Sequence, residues 1–168
     1  MSSKMKGIYL AAYQAYHGNY DIVYQDINGK RDLGGDMLDI DLTPYDFIIA
    51  TPPCNFWSRA NYRRETSEYS QKTKHLLPDI LDKLKKLNKP YIVENVRNST
   101  LFNKYGLYDK ADYVYEIGRH TYWTNIPFNA SNIKFGSDNI QNKSSKNRQG
   151  GNNVYNIIEW WLKIIHEK

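Results

Sequence analysis

Short apolar runs without polar alternation recur along the chain, and they constrain its fold more than any other feature. They lie at residues 8–12, 21–24, 45–50 and 90–93, with a weaker fifth run at 113–117. Such runs are typical of strands buried on both faces of a parallel sheet, although periodicity alone leaves buried helix open. Residues 67–88 and 154–165 instead carry apolar side chains at three- and four-residue steps, which predicts helices. The alternation predicts an α/β domain with a mostly parallel sheet.

The length and composition narrow the class of protein. A chain of 168 residues suits one domain spanning residues 1–168, and a 14% share of aromatic residues indicates a packed core. The net charge of +5 suits a partner that carries phosphate without establishing one. The lone cysteine excludes an internal disulfide framework, and the four scattered histidines predict no metal site. Polar residues concentrated at 139–151 predict a mobile loop at about 129–151.

The start of the chain and its hydropathy bear on localisation. No apolar run approaches the roughly 18 residues of a membrane span. The first six residues lack the pattern of a signal peptide. We therefore expect a soluble protein of the cytoplasm that makes no membrane contact.

A proline-proline-cysteine sequence follows the third apolar run. Ligands of open α/β sheets bind beyond the carboxyl ends of the strands, so Pro52, Pro53 and Cys54 occupy the expected place for a site. Nearby cations favour a thiolate, and three arginines follow closely: Arg59, Arg63 and Arg64. A buried, inert cysteine is the alternative, because lone intracellular cysteines are commonly buried.

An acidic residue follows the fourth run, in the segment Glu94-Asn95-Val96. A carboxylate in that setting often only caps a loop. The order Pro-Pro-Cys, helix, strand and Glu-Asn-Val is more specific, and it resembles the cytosine-5 DNA methyltransferase family. The segments Gly118–Trp123 (written Gly-Arg-His-Thr-Tyr-Trp) and Gly35-Asp36-Met37 are similar to two further segments of that family. The resemblance covers about residues 35–123.

The resemblance implies a Rossmann-like methyltransferase fold in truncated form and assigns roles to single residues. Cys54 is the nucleophile, Glu94 engages the target base, and Arg119 helps to hold the cytosine. The cofactor is S-adenosylmethionine, the partner is DNA, and no metal is needed. We expect cofactor contacts from Asp36, Asp26 and Pro52, and substrate contacts from Pro53, Asn95, Ser58 and His120. For Asp26, a place in a solvated turn is an equal alternative. Four nearby aromatic residues either support a flipped base or pack in the core: Phe56, Trp57, Tyr62 and Tyr69.

Two departures from the family bear on function. The Phe-x-Gly-x-Gly loop that holds the methionine end of the cofactor is replaced by Leu-Ala-Ala-Tyr-Gln-Ala-Tyr-His-Gly at residues 10–18, and the first helix is expected to be short or absent. The stretch from Trp123 to Gly151 is too short for a separate target-recognition domain. We therefore expect a trimmed family member.

The expected function is S-adenosylmethionine-dependent methylation of cytosine C5 in DNA through a covalent Cys54 adduct. Two alternatives stay open. One is a catalytically degenerate binding protein for nucleic acid or a protein partner, and the other is an enzyme that modifies pyrimidine nucleotides. A trimmed enzyme would act on short contexts, single strands or nucleotides, or would borrow specificity from a partner protein.

Overall fold

The structure is a computed structural model that describes residues 4–12, 19–129 and 150–167. A six-stranded sheet forms its centre, with the order β2-β1-β3-β4-β6-β5. Its strands are β1 Lys6–Leu10, β2 Asp21–Tyr24, β3 Phe47–Ala50, β4 Tyr91–Val96, β5 Tyr113–Ile117 and β6 His120–Thr124. The first four strands pair in parallel, and β6 is antiparallel to β4 and β5. The predicted single α/β fold with a mostly parallel sheet is confirmed.

The helices lie on both sides of this sheet. They are α1 Glu68–Thr73, α2 Leu76–Lys85, α3 Ser99–Lys104 and α4 Gly150–His166, with short 3-10 turns at Met37–Asp39 and Leu107–Asp109. The helical stretch predicted at 67–88 is therefore two helices, and the closing helix is present. Among the described residues, no helix has the length and apolarity needed to cross a membrane.

Two apolar layers make the core, one on each face of the sheet. Adjacent residues of a strand point to opposite faces, so Leu10 and Val93 pack with α2, whereas Tyr9 and Ile92 pack with α4. Parallel β1 to β4 place their carboxyl ends at one edge of the sheet, which is where the candidate site lies.

The structure differs from the sequence prediction at β4, and parts of two other predictions fall outside the described residues. The fourth strand continues past residue 93, because antiparallel pairing with β6 extends it to Val96 and places Glu94 inside the strand. Of the predicted mobile loop at 129–151, residues 130–149 lie outside the described residues, while residues 150 and 151 begin α4. The expected shortening of the first helix falls on residues 13–18, which also lie outside.

Candidate active site

The loop after β3 holds the cysteine at the carboxyl edge. The backbone N–H of Thr51 donates to the carbonyl of Leu10, which prolongs the sheet by one residue. The carbonyl of Cys54 then accepts from the N–H groups of Trp57 and Ser58, at 3.0 and 2.8 Å, in a tight turn. Cys54 is half-buried and has no disulfide. The turn therefore fixes the thiol just beyond the strand.

The electrostatic setting of this thiol differs from the sequence expectation. Burial raises the pKa of Cys54, and the nearby Glu94 carboxylate raises it further. Arg64 donates its guanidinium hydrogens to the carbonyls of Phe56 and Ser58, and Arg59 and Arg63 are exposed. The expectation that these arginines favour a thiolate is wrong, because burial dominates.

Glu94 lies beside the cysteine and meets a histidine. Its side chain is almost fully buried in β4. Its Oε1 is 2.8 Å from Nδ1 of His120. Tyr122 pairs directly with Glu94 across the strands, and His120, two residues earlier in β6, projects from the same face. The Nε2 atom of His120 is buried and has no hydrogen-bond partner among the described residues.

The neighbouring arginine is placed differently. Arg119 lies in the exposed turn between β5 and β6, where its carbonyl accepts from the N–H of Arg97. Successive side chains alternate between the faces of a strand. His120, the next residue along, begins β6 and contacts Glu94.

Two asparagines that follow Glu94 bind the cysteine loop to β4. The amide of Asn95 donates to the carbonyl of Pro52 at 3.2 Å, and that of Asn98 donates to the carbonyl of Trp57 at 2.8 Å. Asn95 and Pro52 are both buried in this contact. Sequence reasoning assigned Asn95 to the substrate and Pro52 to the cofactor, and it missed Asn98 altogether. The structure uses all three to fix the loop.

A pocket of about 500 Å³ adjoins Cys54. This volume lies within the roughly 300–1,000 Å³ of small-molecule and cofactor sites. Asp26 and Asp36 both line the pocket, together with Pro53 and Cys54. Each aspartate uses Oδ1 to accept a backbone N–H of its own turn, from Lys30 and Leu38 respectively. The two acids named from the sequence thus share one pocket, next to the thiol.

Comparison with known proteins identifies the family. Residues 5–152 match the family model of the C-5 cytosine-specific DNA methylases. The chain belongs to this family. It is also 36% identical over 87 residues to the Type II methyltransferase M1.HgaI of Avibacterium volantium, an alignment that covers 50% of this chain and 24% of that protein. The chain thus matches about a quarter of the length of this curated relative. The resemblance stated from the sequence is confirmed.

Gln25 lines the pocket and was missed from the sequence. Its side chain accepts from the N–H of Ala11 at 2.8 Å and donates to the carbonyl of Gly35 at 2.6 Å. Ala11 adopts a left-handed φ of 53°, which is unfavourable for alanine. The hydroxyl of Thr51 donates to the Ala11 carbonyl at 2.9 Å and helps to hold it there. The sequence feature that could have indicated this role is a glutamine at the end of an apolar run, next to Asp26.

The remaining candidates divide between core and surface. Ser58 uses its carbonyl for Arg64 and its hydroxyl for the N–H of Ala60, within the loop. Of the aromatic candidates, Phe56 and Trp57 are buried and contact each other. Tyr62 is 92% exposed, and Tyr69 lines the pocket. No cluster of three or more metal-ligating side chains occurs within the described part of the chain.

Proposed function

We propose that the protein methylates C5 of cytosine in DNA, with S-adenosylmethionine as methyl donor and a covalent bond to Cys54 as intermediate. One observation carries the proposal. Cys54 and Glu94 come from neighbouring parallel strands to the same edge of the sheet, beside a pocket that contains Asp26 and Asp36. A nucleophile, an acid and a cofactor-sized pocket are what this reaction needs in one place.

The nucleophile addresses the low reactivity of cytosine C5. When the sulfur of Cys54 adds to C6, the electron pair of the C5–C6 bond moves to C5 and makes that carbon nucleophilic. A hydrogen bond between the carboxyl group of Glu94 and N3 stabilises the charge that develops in the ring. The thiol proton of Cys54 passes to water as the sulfur attacks. After methylation, which would leave S-adenosylhomocysteine, C5 loses its proton to water and the electron pair of that bond re-forms the C5–C6 double bond. The sulfur leaves C6 as the thiolate, which restores the ring and the cysteine.

The raised pKa of the thiol is consistent with a reaction gated by substrate. A half-buried, protonated Cys54 is weakly reactive in the free protein, because the thiolate is the nucleophile. The bound base then has to be in place before sulfur attack becomes favourable. A lone cysteine nucleophile must stay reduced, and we place the protein in the cytoplasm for that reason.

His120 joins Arg119 as a candidate for holding the base. Its contact with Oε1 of Glu94 fixes the carboxyl group, and its unpartnered Nε2 is suited to a polar atom at the edge of the base. The role of Arg119 in holding the cytosine stays a prediction of the resemblance.

The pocket residues fit the cofactor. Carboxylates accept hydrogen bonds, so Asp26 suits the ribose hydroxyls and Asp36 suits the exocyclic amine of adenine. Met37 and Pro53 add apolar surface for the adenine ring. When bound there, S-adenosylmethionine would supply a methyl group carried on a sulfonium.

DNA is the proposed substrate because the site faces a basic, aromatic loop. Arg59, Tyr62 and Arg63 are exposed just after the cysteine turn, on a chain with a net charge of +5. Lysines and arginines bind phosphates, and aromatic rings stack on unpaired bases. A cytosine within a duplex must leave the stack before the thiol can reach C6. Sequence specificity then comes from residues 130–149 or from a partner protein.

Transfer of a labelled methyl group from S-adenosylmethionine tests this function. The acceptors are duplex DNA, single-stranded DNA and deoxycytidine nucleotides, with product analysis for 5-methylcytosine. We expect transfer to DNA by the wild type and none by Cys54→Ser. Glu94→Gln should slow transfer at least a hundredfold while DNA affinity stays within about twofold, because its role is in the transition state. The exposed residue Glu167 offers the control variant Glu167→Gln, which should transfer normally.

Three outcomes would contradict the proposal. Transfer to nucleotides alone would favour a nucleotide-modifying enzyme. DNA binding without cofactor binding at millimolar concentration would favour a degenerate binding protein. Full activity of Cys54→Ser would exclude the covalent mechanism.

A further inference from the structure

A helical segment forms one wall of the pocket, separate along the chain from the segments that supply the two aspartates. Tyr69, Lys72 and Thr73 of α1 line the pocket, as does Leu76 at the start of α2. Within α1 these positions are spaced i, i+3 and i+4, which places them on one helical face. None of them belongs to the segments that carry the family resemblance.

This wall is tied to the cysteine loop by side-chain hydrogen bonds. The amide of Asn61 donates to the carbonyl of Asn55 at 2.6 Å and to the hydroxyl of Ser70 at 3.0 Å. Gln71 donates to the carbonyl of Arg64 at 2.8 Å. The position of α1 relative to Cys54 is therefore set within one connected segment of the fold.

Lys72 is the one lysine or arginine among the described residues that line the pocket. It is exposed, and the structure gives it no ion pair or hydrogen bond among the described residues. Other lysines of the same region have structural partners: Lys83 donates to two backbone carbonyls and Lys89 to three. The ammonium group of Lys72 is available to a ligand.

We propose that Lys72 binds the carboxylate of the methionine arm of S-adenosylmethionine, an inference that rests on the proposed function. The sulfonium has to lie near Cys54, because its methyl group goes to the ring carbon next to C6. The adenosine arm suits Asp26 and Asp36, and a carboxylate is repelled from that wall. The other arm therefore extends toward the α1 face, where Lys72 supplies the opposite charge.

This role accounts for a departure noted in the sequence. Residues 10–18 lack the glycine loop that the resemblance implies for the methionine end of the cofactor. An ammonium group on a tethered helix holds a carboxylate without a glycine loop, because it acts as a point charge on a flexible stem.

Calorimetry with two matched ligands tests the assignment. Decarboxylated S-adenosylmethionine differs from S-adenosylmethionine only in lacking the carboxylate. We expect Lys72→Met to weaken S-adenosylmethionine roughly threefold to tenfold, the range for a partly exposed charge-assisted pair, and to leave the decarboxylated ligand unchanged. Lys72→Arg should restore most of the affinity. Lys85→Met is the control, because Lys85 is equally exposed on α2 and does not line the pocket.

The test compares the affinities of one variant for the two ligands. A general loss of stability would weaken both ligands equally and would leave their ratio unchanged. Equal weakening of both ligands by Lys72→Met, or no weakening of either, would overturn the assignment while leaving the proposed function intact. A wild-type protein that binds neither ligand at millimolar concentration would overturn the proposed function, and this inference with it.

Discussion

Replacing Gln25 with leucine should damage both the stability of the protein and its pocket. The change removes the side-chain bonds to the N–H of Ala11 and the carbonyl of Gly35. Each such bond contributes about 1 kcal/mol, and a buried group left without a partner costs about 1–3 kcal/mol more. Gly35 is exposed and Ala11 is only half-buried, so water replaces much of both lost partners and the loss stays close to the sum of the two bonds. We expect Gln25→Leu to lower the free energy of unfolding by about 2–3 kcal/mol.

A matched control separates stability from function. Asn125 also makes two side-chain bonds to backbone, accepting from Tyr91 and donating to Lys89, and it does not line the pocket. Asn125→Leu should cost a similar free energy. For a chain of this size, either loss lowers Tm by about 4–12 °C. Gln25→Leu alone should also weaken S-adenosylhomocysteine, by about tenfold, because Ala11 and Asp36 lose their fixed positions.

Thermal unfolding measures the stability of the two variants, and calorimetry measures their affinity for S-adenosylhomocysteine. If Gln25→Leu loses less than about 1 kcal/mol, the two hydrogen bonds do not stabilise the pocket. If it loses as much stability as Asn125→Leu but binds S-adenosylhomocysteine like the wild type, the idea that Gln25 positions the pocket is refuted.

Cys54, Lys89 and His120 each make contacts whose effect can be measured. Burial and Glu94 raise the pKa of Cys54, so iodoacetamide should label the native protein more slowly near neutral pH than the urea-unfolded protein. The labelling rate of the native protein should still rise above pH 9. A rate that reaches a plateau below pH 8 would contradict the raised pKa. Lys89→Met should lower the free energy of unfolding in urea by about 1.5–3 kcal/mol, because the ammonium group donates to three carbonyls. A loss under about 0.5 kcal/mol would show that water replaces these hydrogen bonds at no cost. His120→Phe should reduce the kcat of methyl transfer at least about tenfold with little change in KM for DNA. His120→Gln should keep more activity, because its amide can still form hydrogen bonds. Wild-type kinetics in His120→Phe would show that His120 has no role in the reaction.

The apolar runs predicted five of the six strands, because strands buried on both faces need continuous apolar sequence. β6 escaped detection for a physical reason. It begins with His120 and Thr121 and is specified by its pairing with β4, not by an apolar run. The same pairing extends β4, so Glu94 was predicted at the end of a strand that in fact continues to Val96.

The site followed a similar pattern. Cys54 and Glu94 could be named from the sequence, because each stands next to a strand end within a distinctive motif. The contact between Asn98 and Trp57 joins residues that are 41 positions apart and leaves no local signal. The sequence left the direction of the Cys54 pKa open between an activated thiolate and a buried thiol, because burial is a property of the folded chain.

Covalent trapping tests the central claim most directly. Fluorine at C5 blocks the proton loss that releases the cysteine, so a duplex that contains 5-fluorocytosine should remain attached to the protein after methyl transfer. With S-adenosylmethionine present, we expect a complex that survives denaturation and whose mass equals protein, DNA and one methyl group. Peptide mapping should place the bond at Cys54, and Cys54→Ser should form no complex, since a hydroxyl is a far weaker nucleophile. A wild-type protein that binds DNA and S-adenosylhomocysteine yet forms no adduct, or an adduct that persists in Cys54→Ser, would contradict the account.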